Sequence, residues 1–299
     1  MNRFKDSALV FIGAALWGIE AIFVPPMTAG GFTTMQISFL GAFVSAVVVV
    51  IFALIKDRSA FRFSRRDGIL LLALSMTDFI FFKFFYYTTI NNSEVSVAVM
   101  LLYSSPIFIM LFSRIVFRER MTPRKYLCLA LTVIGCVCVS GYIGHAVPIP
   151  LFALFTGIMT GAVYGVYAIL TRLTARSCGP LTVCMYMLIF GTIILLPVCH
   201  PGQIVSVLKS NHTIIPYALT FGPVCAALAN GLYAWGISGI SANRAAILGA
   251  AEPLTAAVLG ILLFHESREP VKLVGIALII AAIIIQGLEQ PGHSSASDR

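Results

Sequence analysis

The chain has 299 residues, 59% of them hydrophobic and 11% charged, where soluble domains run at roughly 45–50% and 25%. So few charges cannot cover so much apolar surface in water, which argues against a soluble globular protein and leaves lipid as the solvent. The formal charge of +8 sits in short loops beside apolar runs, with no basic helix face or stacking motif, which argues against a nucleic-acid partner.

Ten apolar segments follow one another, near residues 8–26, 34–55, 68–88, 95–115, 126–144, 151–171, 181–199, 214–236, 244–264 and 272–289. A spanning helix needs roughly 20 mostly apolar residues, and the ten-residue alternation of barrel strands is absent. The expected fold is therefore an all-α membrane protein with ten transmembrane helices. Arg3 and Lys5 precede an apolar run that is too long for a typical signal peptide, so it reads as a retained first span.

Lys and Arg set the orientation. With the N-terminus inside, 16 basic residues fall in inner segments, among them Arg62, Arg118, Arg172 and Arg244. Three, Lys209, Arg268 and Lys272, fall outside, and Lys83 lies within a span. That bias predicts a multi-pass protein of the cell membrane with both termini cytoplasmic. The sequons at Asn91 and Asn211 fall in outer loops and are expected to be unmodified. Seven cysteines sit mainly in apolar stretches and read as small buried hydrophobes. No metal or cofactor is expected.

An offset of 147 residues aligns the two halves without a gap. Trp17 falls on Tyr164, Tyr86 on Tyr233, Pro106 on Pro253, Glu119 on Glu266, Pro123 on Pro270 and Lys125 on Lys272. The polar and proline matches carry the weight, because apolar identities mean little in this chain. The expected units are 1–145, 146–290 and a short polar, disordered cytoplasmic tail at 291–299. Five spans per copy is an odd number, so the second copy would be inverted, the plan of many secondary carriers.

Further resemblance lies in Leu16-Trp17-Gly18, in Ser104-Ser105-Pro106 through Phe117-Arg118-Glu119, and in Ala251-Glu252-Pro253 through Phe264-His265-Glu266. With these motifs, across nearly its whole length, the chain resembles the drug/metabolite transporter superfamily, specifically EamA-type permeases. Many members of that family carry Arg early in the second span, where this chain has Ser38. The resemblance implies ten spans in two inverted repeats and a small-molecule substrate, with export the commoner direction.

Ionisable side chains inside a span cost about 2.5–3.5 kcal/mol on insertion scales, so they mark functional candidates. Here these are Glu20, Asp78, Lys83 and Glu252. Glu20 and Lys83 share a depth, which permits either a working pair or a static ion pair that fixes packing. Asp78 and Glu252 read either as proton-exchanging acids or as permanently hydrogen-bonded ones. Ser105 is the repeat mate of Glu252, and Asn230 that of Lys83. Trp17, Tyr103 and Tyr164 lie deep enough to wall a cavity for an amphipathic metabolite, or else to pack helices. Pro106 and Pro253 each remove a backbone hydrogen bond in mid-span and are helix-break or gating candidates. Glu119 is expected to be a structural residue neutralised by Arg118, Arg120 and Arg124. Gly157, Gly161 and Gly165 form one small-residue face, for close packing or for sliding.

The resulting expectation is a secondary transporter of small metabolites such as amino acids, proton-coupled or working by exchange, as a monomer or homodimer in the lipid bilayer. Nucleosides, sugars or drug-like compounds are alternative cargo. A membrane-embedded enzyme or a channel is the alternative from another class.

Overall fold

In hydrocarbon every backbone N–H and C=O must find its partner inside the chain, and helices do this locally. The computed structural model describes residues 3–93, 95–119, 121–140, 143, 149–263 and 269–287, and no strand occurs among them. Seven helical stretches are long and apolar enough to cross a bilayer: Phe4–Ala29, Thr34–Lys56, Arg65–Asn92, Val97–Phe117, Leu151–Ser177, His212–Gly239 and Ala242–Leu263. Three shorter helices complete a set of ten: Pro123–Val139, Pro180–Leu195 and Pro270–Gly287. We number the spans one to ten in chain order. At 1.5 Å per residue the shorter three rise roughly 24–27 Å, close to the ~30 Å hydrocarbon thickness.

Polar residues start several spans. Thr33 with Gln36 and Ser64 with Asp67 form capping boxes at spans two and three, and the Thr122 hydroxyl accepts from the Lys125 amide at span five. Caps and charged turns lengthen some helices beyond their apolar runs, so span three begins at Arg65 and span six ends at Ser177. A short helix, Pro201–Ser210, lies in the loop between spans seven and eight.

Contacts at the two faces establish the alternation of direction. On one face Glu119, after span four, meets Arg172 near the end of span six and the start of span nine. On that same face Ser177 donates to the Asp67 carboxylate and Arg176 Nε to the Ser238 carbonyl. On the opposite face Thr89 Oγ1 donates to Thr156 Oγ1 at 2.9 Å, joining the end of span three to the start of span six. Gln36 Nε2 donates there to Gln203 Oε1 at 3.2 Å.

The packing has the symmetry of an inverted repeat. Span one lies against spans eight and nine, while its equivalent, span six, lies against spans three and four. Spans two and seven pack together, as do spans five and ten. Each pair exchanges places under an offset of five spans, as a twofold axis in the membrane plane requires. At Gly18 an added Cβ would stand 2.5 Å from the Glu252 carbonyl oxygen, and at the equivalent Gly165 one would stand 2.9 Å from Phe108 Cβ. Gly157 and Gly161 press on span four in the same way, so this stripe is a buried seam between the repeats.

The two repeats share two interruptions, and a third occurs in the first repeat alone. Span four divides into Val95–Leu102 and Ser105–Phe117, and span nine into Ala242–Leu248 and Ala251–Leu263. Pro106 and Pro253 stand in the first turn of each second half, where a missing N–H costs least. Spans three and eight each contain a π-helical stretch, Thr77–Phe82 and Gly222–Leu228. Span one breaks at Ile19, so that Glu20 opens its outer half.

One expectation is corrected. Among the described residues Glu119 pairs with Arg172, at 2.5 Å, rather than with Arg118 or Arg124. Arg124 instead donates to the Ile285 carbonyl at 2.6 Å. Arg120, Phe264, His265, Glu266, Arg268 and the tail at 291–299 lie outside the described residues.

Candidate functional site

The interruptions converge on the middle of the bundle. A cavity of about 200 Å³ opens there, walled by spans from both repeats. Span one contributes Trp17 and Glu20, span three Asp78 and Lys83, span six Tyr164, span eight Asn230 and span nine Glu252. Each charged group owes its position to a local feature. Glu20 follows the break in span one, Asp78 lies in the π-helical stretch of span three, and Glu252 begins the second half of span nine. Regular helices would leave backbone and side chains in an even stack. The π turns rotate the next stretch of helix and re-aim these side chains, a use common at functional sites.

The charges are unequal, with three carboxyl groups facing one ammonium. Lys83 Nζ donates to Ser38 Oγ at 2.9 Å and lies 5.8 Å from the centre of the Phe79 ring. Among the described residues it makes no ion pair within 4.0 Å, so the contact pair with Glu20 that a shared depth permits does not form. Lys83 is the cationic neighbour of both Glu20 and Asp78, whereas the charged neighbour of Glu252 is Glu20. One ammonium thus serves two carboxyl groups at one pole of the cavity, and at the other Glu252 has a carboxyl group as its charged neighbour.

Aromatic side chains form the rest of the wall. Trp17 packs on Tyr233 with centroids 4.9 Å apart, and Tyr164 stands between Phe82 and Tyr167 at 6.1 and 5.7 Å. The Tyr167 hydroxyl donates to Asn230 Oδ1 at 2.9 Å, and Asn230 Nδ2 donates to the Ala226 carbonyl at 2.9 Å. Asn230 is therefore held in one orientation against the cavity.

A second, smaller chamber of about 30 Å³ adjoins spans four, five and nine. Tyr103, Ser105, Pro106 and Pro253 line it, and Tyr164 and Glu252 line both spaces. The candidate site side chains named from the sequence therefore surround these two adjoining spaces. Arg244 lines neither, consistent with an anchor at the start of span nine. Sequence reasoning passed over three participants. Tyr167 carried a signal, since it is the repeat mate of Glu20. Ser38 stood out only as a departure from a family pattern. Thr132, at the wall of the small chamber, carried none.

A model of the EamA-like transporter family matches residues 7–141 and again 151–287, one copy for each half of the bundle. The chain belongs to the EamA-like transporter family. It is a membrane transporter, and its similarity to relatives runs end to end. An uncharacterized transporter of Archaeoglobus fulgidus is 28% identical over 95% of this chain and 96% of its own length. The uncharacterized inner membrane transporter YicL of Salmonella typhimurium is 25% identical over 98% of each chain. A solved crystal structure shares the fold, with a TM-score of 0.76 at 16% identity, covering 95% of this chain and 96% of its own. In this EamA-like chain the family match and the packing symmetry describe the same two halves.

Proposed function

We propose that this EamA-like protein is a secondary active transporter that moves small metabolites such as amino acids by alternating access. The observation that carries the reading is the mid-membrane cavity walled by both repeats, with one ammonium and three carboxyl groups. Lys83 offers a partner for a substrate carboxylate, and Glu252, which has no cationic neighbour, offers one for an ammonium group. The 200 Å³ volume falls below the ~300–1,000 Å³ of drug-sized pockets and favours a small cargo.

The charge imbalance supports coupling. An unpaired carboxylate away from water is costly, so either a proton or a substrate ammonium accompanies Glu252 through the cycle. That exclusivity is the physical basis of proton-coupled transport or exchange. Inverted repeats supply the motion, because each half can adopt the conformation of the other and so open the cavity to either face. The excess of basic residues on the Glu119 face makes that face cytoplasmic, with both termini there and the protein in the cell membrane. The family resemblance favours export. The units are residues 1–145 and 146–290, acting as a monomer or homodimer.

Counterflow in proteoliposomes tests this reading. Vesicles preloaded with pooled amino acids are expected to accumulate external labelled amino acid transiently and saturably. Flux that rises linearly with concentration and shows no counterflow would indicate a channel. Saturable counterflow with nucleosides or sugars alone would replace the substrate class.

A further inference from the structure

The small chamber beside Glu252 has a mostly apolar wall into which a few polar side chains are set, and its volume of about 30 Å³ exceeds the ~10–15 Å³ that one water needs. Those polar side chains include Ser105, which is 6% exposed, and Thr132, which is fully buried at 0%. Span threonines in this chain commonly return their hydroxyl proton to the carbonyl four residues earlier, as Thr77, Thr160 and Thr171 do. Thr132 does not. Its Oγ1 is buried and has no hydrogen-bond partner among the described residues. A buried polar atom without a protein partner costs about 1–3 kcal/mol, and a water with two or more polar contacts removes that cost.

Repeat symmetry places the same chamber at a mechanistic position. Ser105 with Pro106 and Glu252 with Pro253 occupy equivalent sites, each at the start of a half-helix, and all four line it. The start of a helix carries partial positive charge, yet only the second repeat puts an acid there. The titratable groups facing Glu252 are Glu20 of span one, Tyr86 of span three, Tyr103 of span four, Cys136 of span five, Tyr164 of span six and Tyr233 of span eight. None of these is a cation; Lys83 and Asp78 line the same large cavity as Glu252, but the charged neighbours of Lys83 are Glu20 and Asp78.

We propose that the chamber is a water site in which ordered water bridges the Thr132 hydroxyl and the Glu252 carboxyl, making Glu252 the proton-exchanging acid and Thr132 its positioning residue. The inference rests on the transporter reading for its purpose, but the water site itself requires no substrate. The proton that Glu252 gains or loses passes to this water, and the carboxyl oxygen facing the large cavity remains available to cargo. Substrate and proton then meet the same carboxyl from two sides.

Infrared difference spectroscopy of the purified protein after a pH step reads the site directly. The wild type is expected to show a carboxyl C=O band that disappears in Glu252→Gln, shifts in frequency in Thr132→Val and Thr132→Ala, and returns towards its original position in Thr132→Ser. A Glu252 band unmoved by both Thr132→Val and Thr132→Ala would overturn the water bridge. A spectrum without any Glu252-dependent band would overturn its role as the exchanging acid. In counterflow assays the pH profile of Thr132→Val is expected to shift relative to the wild type, and that of Thr132→Ser to return towards it. Absence of counterflow in the wild type would count against the transport reading alone, because the spectra are recorded without substrate.

Discussion

Arg172→Ala is expected to destabilise the protein by about 3–5 kcal/mol, the cost of stranding one partner of a buried ion pair. Arg172 and Glu119 are 6% and 11% exposed, and the pair is closed at 2.5 Å. Glu119 also accepts from the backbone N–H of Ala242 at 3.1 Å and, at 3.5 Å, from that of Asn243. The Arg172 guanidinium stands 4.2 Å from the centre of the Phe117 ring. One carboxylate therefore joins the ends of spans four and six to the start of span nine. Glu119→Gln keeps an acceptor for the backbone amides and is expected to lose less stability than Glu119→Ala. Thermal and denaturant unfolding in detergent measure the series. Replacing both partners by Met removes the stranded charge, so the double variant is expected to recover most of the loss. A double variant as unstable as the sum of the single ones would show that packing, not charge, holds this corner together.

Glu252→Gln carries the largest expected effect on transport. A hydrogen bond to a charged group contributes about 1.5–3 kcal/mol, so its loss weakens substrate exchange roughly ten- to a hundredfold on the usual free-energy scale. Gln preserves the volume and one acceptor oxygen, but it removes the charge and the exchangeable proton, so the charge-assisted bond to an ammonium group is lost. Asp78→Asn is expected to have a smaller effect, because Asp78 shares Lys83 with Glu20 while Glu252 has no cation beside it. Cys225 lines the same cavity without charge, and Cys225→Ala is expected to leave exchange nearly unchanged. The half-saturation concentration and maximal rate of counterflow distinguish these cases. Equal losses in Glu252→Gln and Cys225→Ala would remove the special role of the carboxyl.

Much of this architecture is legible in the sequence because lipid imposes a single rule on long apolar runs. The spans, the repeat offset and the buried charges all reflect it. Pro106 and Pro253 likewise mark the breaks in spans four and nine, since neither can continue a regular ladder. The hidden features depend on azimuth and on distant partners. Helix rise gives Glu20 and Lys83 a common depth, but the rotation around each axis decides contact, and Lys83 turns to Ser38. Glu119 has cationic neighbours in sequence, yet its partner lies 53 residues away on another span. The π-helical stretches have no residue signature, because an added residue per turn depends on packing rather than on propensity. Thr132 looks like any threonine in an apolar helix until the chamber beside it is seen.

In the proposed cycle, one cavity between two inverted repeats opens alternately to the two faces of the membrane. Ala226 lines that cavity, and Ala226→Cys in a background lacking the native cysteines reports on its accessibility to a membrane-impermeant thiol reagent. Labelling rates are measured separately from each face, with and without Glu119→Gln, which loosens the contacts at the Arg172 face. Alternating access predicts labelling from both faces, with the variant raising the rate from the Arg172 face and lowering it from the opposite one. Rates that rise together, or a cavity reached from one face in both proteins, would contradict alternating access.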